Sequence, residues 1–116
     1  MYKNFLFAAC CALVILMAMS NQRIDAAANG QAVFASLHCN SCHKPDTDKV
    51  GASLQLIADT YAAKTELLDY LDGRGEPRIA PERKGVMKGQ LKKIAKLTDE
   101  EKQALAEYIM TFKKAE

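Results

Sequence analysis

No stretch of the 116-residue sequence alternates apolar and polar residues with a period of two, and tryptophan is absent. Without that alternation there is no half-buried strand to build a sheet from, so the fold class expected is all-α. Internal repeats and low-complexity tracts are also missing, which excludes solenoids and extended linkers. Charge of one sign is not in excess: 16 Lys and Arg face 14 Asp and Glu, a formal net charge of +2. The acidic cluster Asp99-Glu100-Glu101 breaks any continuous basic surface, so nucleic acid is not an expected partner. Hydrophobic runs are short as well. The longest covers the fifteen residues from Phe5 to Met19, below the ~20 that a spanning helix needs.

That run follows Lys3 and precedes Arg23-Ile24-Asp25-Ala26-Ala27-Ala28, a polar turn leading into small residues. Such an order marks a secretory signal peptide, residues 1–27, with cleavage near 26–28. Residues 28–116 then form one small domain, exported to the periplasm or beyond, with no membrane span in the mature chain. An uncleaved anchor is the alternative. A domain this short has a limited core, and a buried metal or cofactor commonly completes it.

Of the four cysteines, Cys10 and Cys11 lie in the signal and Cys39 and Cys42 remain after cleavage. In an oxidising compartment a retained pair is either bridged or consumed by other chemistry. Residues 39–43 read Cys-Asn-Ser-Cys-His, the C-x-x-C-H pattern of covalent haem attachment. Two intervening residues set both sulfurs along one porphyrin edge, and the histidine that follows turns its imidazole onto the iron. Cys39 and Cys42 are therefore the candidate thioether attachments and His43 the candidate proximal ligand of one haem c, its iron cycling between Fe(III) and Fe(II). A simple disulfide or thioredoxin-like pair is the plainer reading, but no strand precedes Cys39. Zinc would need about four ligands, and His38, Cys39, Cys42 and His43 crowd into six residues.

Around the motif the sequence reads as helices. Asn29 can cap a first one presenting Gly30, Val33, Phe34 and Leu37 on one face and running into Cys39. Lys44 to Val50 is polar and contains Pro45, which predicts a loop. Ala52 to Tyr61 carries Leu54, Ile57 and Ala58 at helical spacing, and Lys64 to Asp72 carries Leu67, Leu68 and Leu71, with Gly73 placed to stop it. Gly73 to Pro81 holds two glycines and two prolines and predicts a loop that delivers the chain to Met87. Thr98-Asp99-Glu100-Glu101 opens a last helix with a capping box, and Leu105, Tyr108, Ile109 and Phe112 form its apolar stripe.

A sixth iron ligand must come from Met87, Met110 or His38. His38 adjoins the attachment motif, and Met110 sits one residue off the last helix's apolar stripe, where a methionine usually packs. Met87 follows an irregular loop able to bring a thioether to a metal, and is the candidate distal ligand.

The chain from Asn29 to about Phe112 resembles the small bacterial class I cytochromes c of the short-chain type. Gly30 and Phe34, with Leu105 and Tyr108, are similar to that family's crossing of terminal helices. Lys49-Val50-Gly51-Ala52-Ser53-Leu54 is similar to its proximal loop, with Ala52 where the family commonly has proline and a carbonyl there accepting a hydrogen bond from the ligand imidazole. Glu82-Arg83-Lys84-Gly85-Val86-Met87 resembles the approach to the distal methionine. The resemblance implies about four helices wrapped around one covalently attached haem. It also implies a one-electron carrier rather than an enzyme, working as a monomer or in transient complexes.

Two other assemblies use the same parts: a gas-binding haem sensor with a weak or absent sixth ligand, and a cytochrome subunit of a dehydrogenase complex. Basic residues dominate from Arg78 to Lys96, and Arg83, Lys84, Lys88, Lys92 and Lys93 are expected to face an acidic patch on a redox protein. An ordinary solvated face is the plainer account of that charge.

Overall fold

In the computed structural model, residues 29–48 and 50–114 are described. The expected signal peptide, its cleavage site and Lys49 lie outside them. Helix α1 covers residues 29–36 and is followed by a 3-10 turn at Cys39–Ser41. Then come α2 (Leu54–Thr60), α3 (Lys64–Leu71), a 3-10 turn at Pro81–Arg83, α4 (Lys84–Ile94) and α5 (Asp99–Met110). Among the described residues there is no strand, as the missing period-two pattern requires.

The boundaries follow from local chemistry. Asn29 is already helical, so it does not cap α1 as its side chain suggested. Helix α2 starts at Leu54 rather than Ala52 because Ser53 is extended and its hydroxyl accepts the Leu56 N–H at 3.1 Å. Gly73 ends α3 with φ +77°: Gly73 N–H bonds the Tyr70 carbonyl and Arg74 N–H the Asp69 carbonyl, a complete Schellman motif. Helix α5 opens on the expected capping box, with Glu101 N–H donating to Thr98 Oγ1 and Thr98 N–H to Glu101 Oε2.

Helix α5 is the spine of the domain. It packs on α2 and α3, and its Leu105, Ala106 and Ile109 are buried with Leu54, Leu67, Leu71 and Phe34 in one core cluster. Each large aliphatic buried there contributes ~1.5–3 kcal/mol relative to an exposed position. Helix α1 crosses α5 at Gly30, where an added Cβ would overlap the Ala104 carbonyl and crowd Tyr108 Cβ. One turn on, the Phe34 and Tyr108 rings meet edge to face, 5.4 Å between centroids, and Phe112 continues the aromatic contact from beyond the end of α5. Ion pairs from Lys64 to Glu107 (3.1 Å) and from Lys102 to Asp72 (3.0 Å) flank the α3–α5 contact.

One element departs from expectation. Met87 does not sit at the end of an irregular segment; the loop stops at Ala80, and Met87 lies in the second turn of α4. That helix is a fifth, beyond the four expected. Its glycines, Gly85 and Gly89, and its run of lysines obscure a short apolar row of Met87, Leu91 and Ile94, of which Ile94 is fully buried.

Candidate haem site

The attachment motif is presented by a reversal at the end of α1. His38 takes a left-handed conformation, φ 59°, with its N–H on the Ala35 carbonyl, and the chain turns directly into the 3-10 turn that carries Cys39. The N–H groups of both Cys42 and His43 bond back to the Cys39 carbonyl, at 3.2 and 2.9 Å, so the motif folds around its first cysteine. This tight turn gathers Cys39, Cys42 and His43 at one cavity. Cys39 and Cys42 are both half-buried and unbridged. Burial pushes the Cys39 thiol above its ordinary value, and repulsion from Cys42 adds to this against the opposing pull of a backbone hydrogen bond and Lys93.

His43 is oriented by the loop that follows. Its Nδ1 lies 2.7 Å from the Ala52 carbonyl oxygen, an acceptor only, so Nδ1 carries the proton and Nε2 is left with its lone pair for a metal. The hydrogen bond expected at the family's usual proline position is therefore present with alanine in that place. Gly51 makes the approach possible. Its N–H donates to the Cys42 carbonyl at 2.9 Å, and a Cβ there would come within 2.8 Å of His43 Cε1 and 3.0 Å of Nδ1. Asp48 accepts the Ser53 N–H at 2.6 Å, and Leu54 N–H bonds the Lys44 carbonyl at 2.8 Å, closing the loop onto α2.

The cavity beside these residues measures about 240 Å³ and is lined almost wholly by apolar groups, among them Leu54, Leu67, Ile94 and Leu105. Native cores hold few voids larger than a water molecule, so a space of this size is a binding site rather than a packing fault. Met87 enters the lining from α4, together with Gln90. The other two ligand candidates fare differently. Met110 packs against the core and does not line the cavity. His38 borders it, but is exposed and belongs to the same turn as Cys39. Sequence reasoning missed much of the rest of the lining, notably the loop before α4, where Pro77, Ile79 and Ala80 reach the cavity, while Arg83, expected to face a partner, also borders it. Their scattered spacing has no period to recognise.

An all-helical domain that gathers two thiols and a metal-ready imidazole at one apolar cavity is, as a class, a covalent haem protein. The cytochrome c family model matches residues 27–113, and the chain belongs to that family. No curated relative matches the chain closely enough to be compared with it. The protein is thus a small monohaem cytochrome c of the class I fold, binds covalently attached haem c whose iron cycles between redox states, and serves as an electron carrier. The residues present fit that group: unbridged thiols on one turn, an imidazole beside them with Nδ1 held by the Ala52 carbonyl, and a largely apolar cavity. Among the described residues no cluster of three or more His, Cys, Asp and Glu could cage a metal ion, so a tetrahedral zinc finds no ligand set there.

Proposed function

We propose that the protein is an exported carrier of single electrons in which Cys39 and Cys42 form the two thioethers and His43 and Met87 fill the axial positions. The observation that carries this reading is that all four residues, and no other methionine among those described, line the same cavity. When bound, the haem supplies a reversible one-electron change at iron; the chain supplies everything that tunes and directs it. The Ala52 carbonyl fixes the tautomer and ring plane of His43. A thioether from Met87 would favour the ferrous state of a bound haem, and with His43 holding the same iron it would leave no site for a substrate. Leu54, Leu67, Ile94 and Leu105 exclude water from the cavity, lowering the local dielectric.

The docking face of the carrier is the outer side of α4 with the mouth of the cavity. Val50 and Val86 border the cavity yet are 56% and 66% exposed, and Arg83 and Lys84 border it beside them. Lys88, Lys92 and Lys93 extend the positive charge along the exposed side of α4. An apolar spot ringed by cations suits an acidic patch on a redox protein in a transient complex. Export to the periplasm rests on the Lys3, Phe5–Met19 and Ala26–Ala28 pattern alone. No helix among the described residues is long and apolar enough to cross a membrane.

The deciding experiment is the ferric and ferrous absorption spectrum of the mature holoprotein, made in cells equipped for haem attachment, beside Met87→Ala and Met110→Ala. Covalent haem with a weak long-wavelength iron–thioether band that disappears only in Met87→Ala is the expected result. Absence of the band in the wild type, with ready uptake of carbon monoxide by the reduced protein, would replace the carrier reading with a gas-binding one.

A further inference from the structure

We infer that Arg83 is a positioning residue that latches the distal helix to the loop holding the proximal histidine. Arg83 is the residue from which α4 starts, four positions before Met87, and its guanidinium Nη2 donates to the Val50 carbonyl at 3.3 Å, across thirty-three residues of chain. Val50 directly precedes Gly51 and Ala52. Gly51 sits against the His43 ring and Ala52 accepts its proton. The side chain of Arg83 therefore spans from the element that carries Met87 to the segment that orients His43, along the border of the cavity. Among the described residues no other side-chain hydrogen bond joins these two segments.

The need for such a tie follows from the packing. Of its own residues α4 fully buries only Ile94, at its far end, with Met87 and Leu91 part-buried, so its first turn brings no buried apolar side chain to the core. The described residues of the loop from Lys44 to Ala52 are exposed or part-buried. The two segments stand on either edge of one cavity, and a direct bond between them couples their openings within the polypeptide. A charged donor on a backbone carbonyl couples them without filling cavity volume, and a guanidinium has the reach and the planar donors to do so. Arg83 also belongs to the proposed docking face, and the two roles separate experimentally because the latch is read on the protein alone, with no redox partner present.

The latch is tested on the holoprotein with Arg83→Met, which removes the donor at similar length, and Arg83→Lys, which retains a donor. Amide hydrogen exchange is read at Gly51, whose N–H bonds the Cys42 carbonyl, and at Leu105 and Ile109 in α5 as a global reference. Arg83→Met is expected to speed exchange at Gly51 by about tenfold, the change that loss of one modest hydrogen bond produces, with α5 protection unchanged and Arg83→Lys restoring most of it. Unchanged exchange at Gly51, or an equal change at Gly51 and in α5, overturns the latch. This readout stands whether or not Met87 ligates iron. Where the Met87 reading holds, Arg83→Met should also lose the iron–thioether band at lower denaturant concentration while the global unfolding midpoint stays in place; a band and midpoint that move together would count against the latch.

Discussion

Gly51 and His43 show how little room a metal-ligand orientation leaves. The glycine's α-carbon lies where any side chain would press on Cε1 and Nδ1 of the imidazole. Gly51→Ala should therefore rotate His43 away from the Ala52 carbonyl and cost ~1–3 kcal/mol of stability, the usual range for overpacking. A lowered denaturant midpoint together with an altered ferric spectrum is the expected pair of results, and a normal spectrum would show that the loop yields instead. A second residue-scale effect concerns acid. The Arg78 guanidinium hydrogen-bonds Glu66 and holds its carboxyl below the ordinary carboxylate range. A depressed folded value means that the stabilisation is present above the unfolded value and is lost as the pH falls through the folded one. Carboxyl NMR titration should find Glu66 back near its ordinary value in Arg78→Met, with the acid limb of unfolding moved slightly to higher pH; the pair is exposed, so the shift is small.

At the scale of elements, the terminal helices and α4 obey different rules. The α1–α5 crossing is built on backbone contact: Gly30 meets the Ala104 carbonyl, an atom that cannot swing aside as a side-chain tip could. Gly30→Ala is expected to destabilise the protein by about 2–3 kcal/mol or more, even though alanine is the better helix former. Denaturant unfolding of holoprotein and variant measures it, and a gain in stability would mean that the helices separate freely at this point. Helix α4 has the opposite character. Lys84, Lys88 and Lys92 stand four residues apart on its exposed side, where like charges repel by ~0.2–0.5 kcal/mol per pair, and two glycines weaken it further.

For the whole molecule the net charge of +2 conceals an uneven distribution, because α4 carries Lys84, Lys88, Lys92 and Lys93 with no acidic residue, whereas Glu66, Asp69 and Asp72 on and after α3 are paired with Arg78, Arg74 and Lys102. Electrostatic steering depends on that distribution rather than on the total. Replacing Lys84, Lys88 and Lys92 together with glutamine should slow association with an acidic redox partner by about tenfold or more at low ionic strength and flatten its salt dependence. Stopped-flow electron transfer at several salt concentrations makes the comparison, and an unchanged rate would assign the lysines to solubility. The reduction potential serves as a control, since docking charges act on encounter rather than on the ligands.

The sequence by itself determined what short-range chemistry dictates. C-x-x-C-H is an unbroken five-residue pattern, the capping box at Thr98 is closed by side chains three residues apart, and Gly73 stops α3 through its own left-handed backbone. These features need only neighbours along the chain, and the all-α class follows from the same local periodicities. Tertiary structure alone decided that Met87 rides on a helix, because α4 is a poor helix by propensity and depends on Ile94 being buried in a core assembled from α2, α3 and α5. It likewise places Met87 in the lining of the cavity and packs Met110 against the core, a difference in position that the sequence's preference for Met87, argued from the loop before it, could not supply. Arg83 reaching Val50 belongs to the same category: no spacing rule connects residues thirty-three apart, and their contact exists only because the two segments border one cavity.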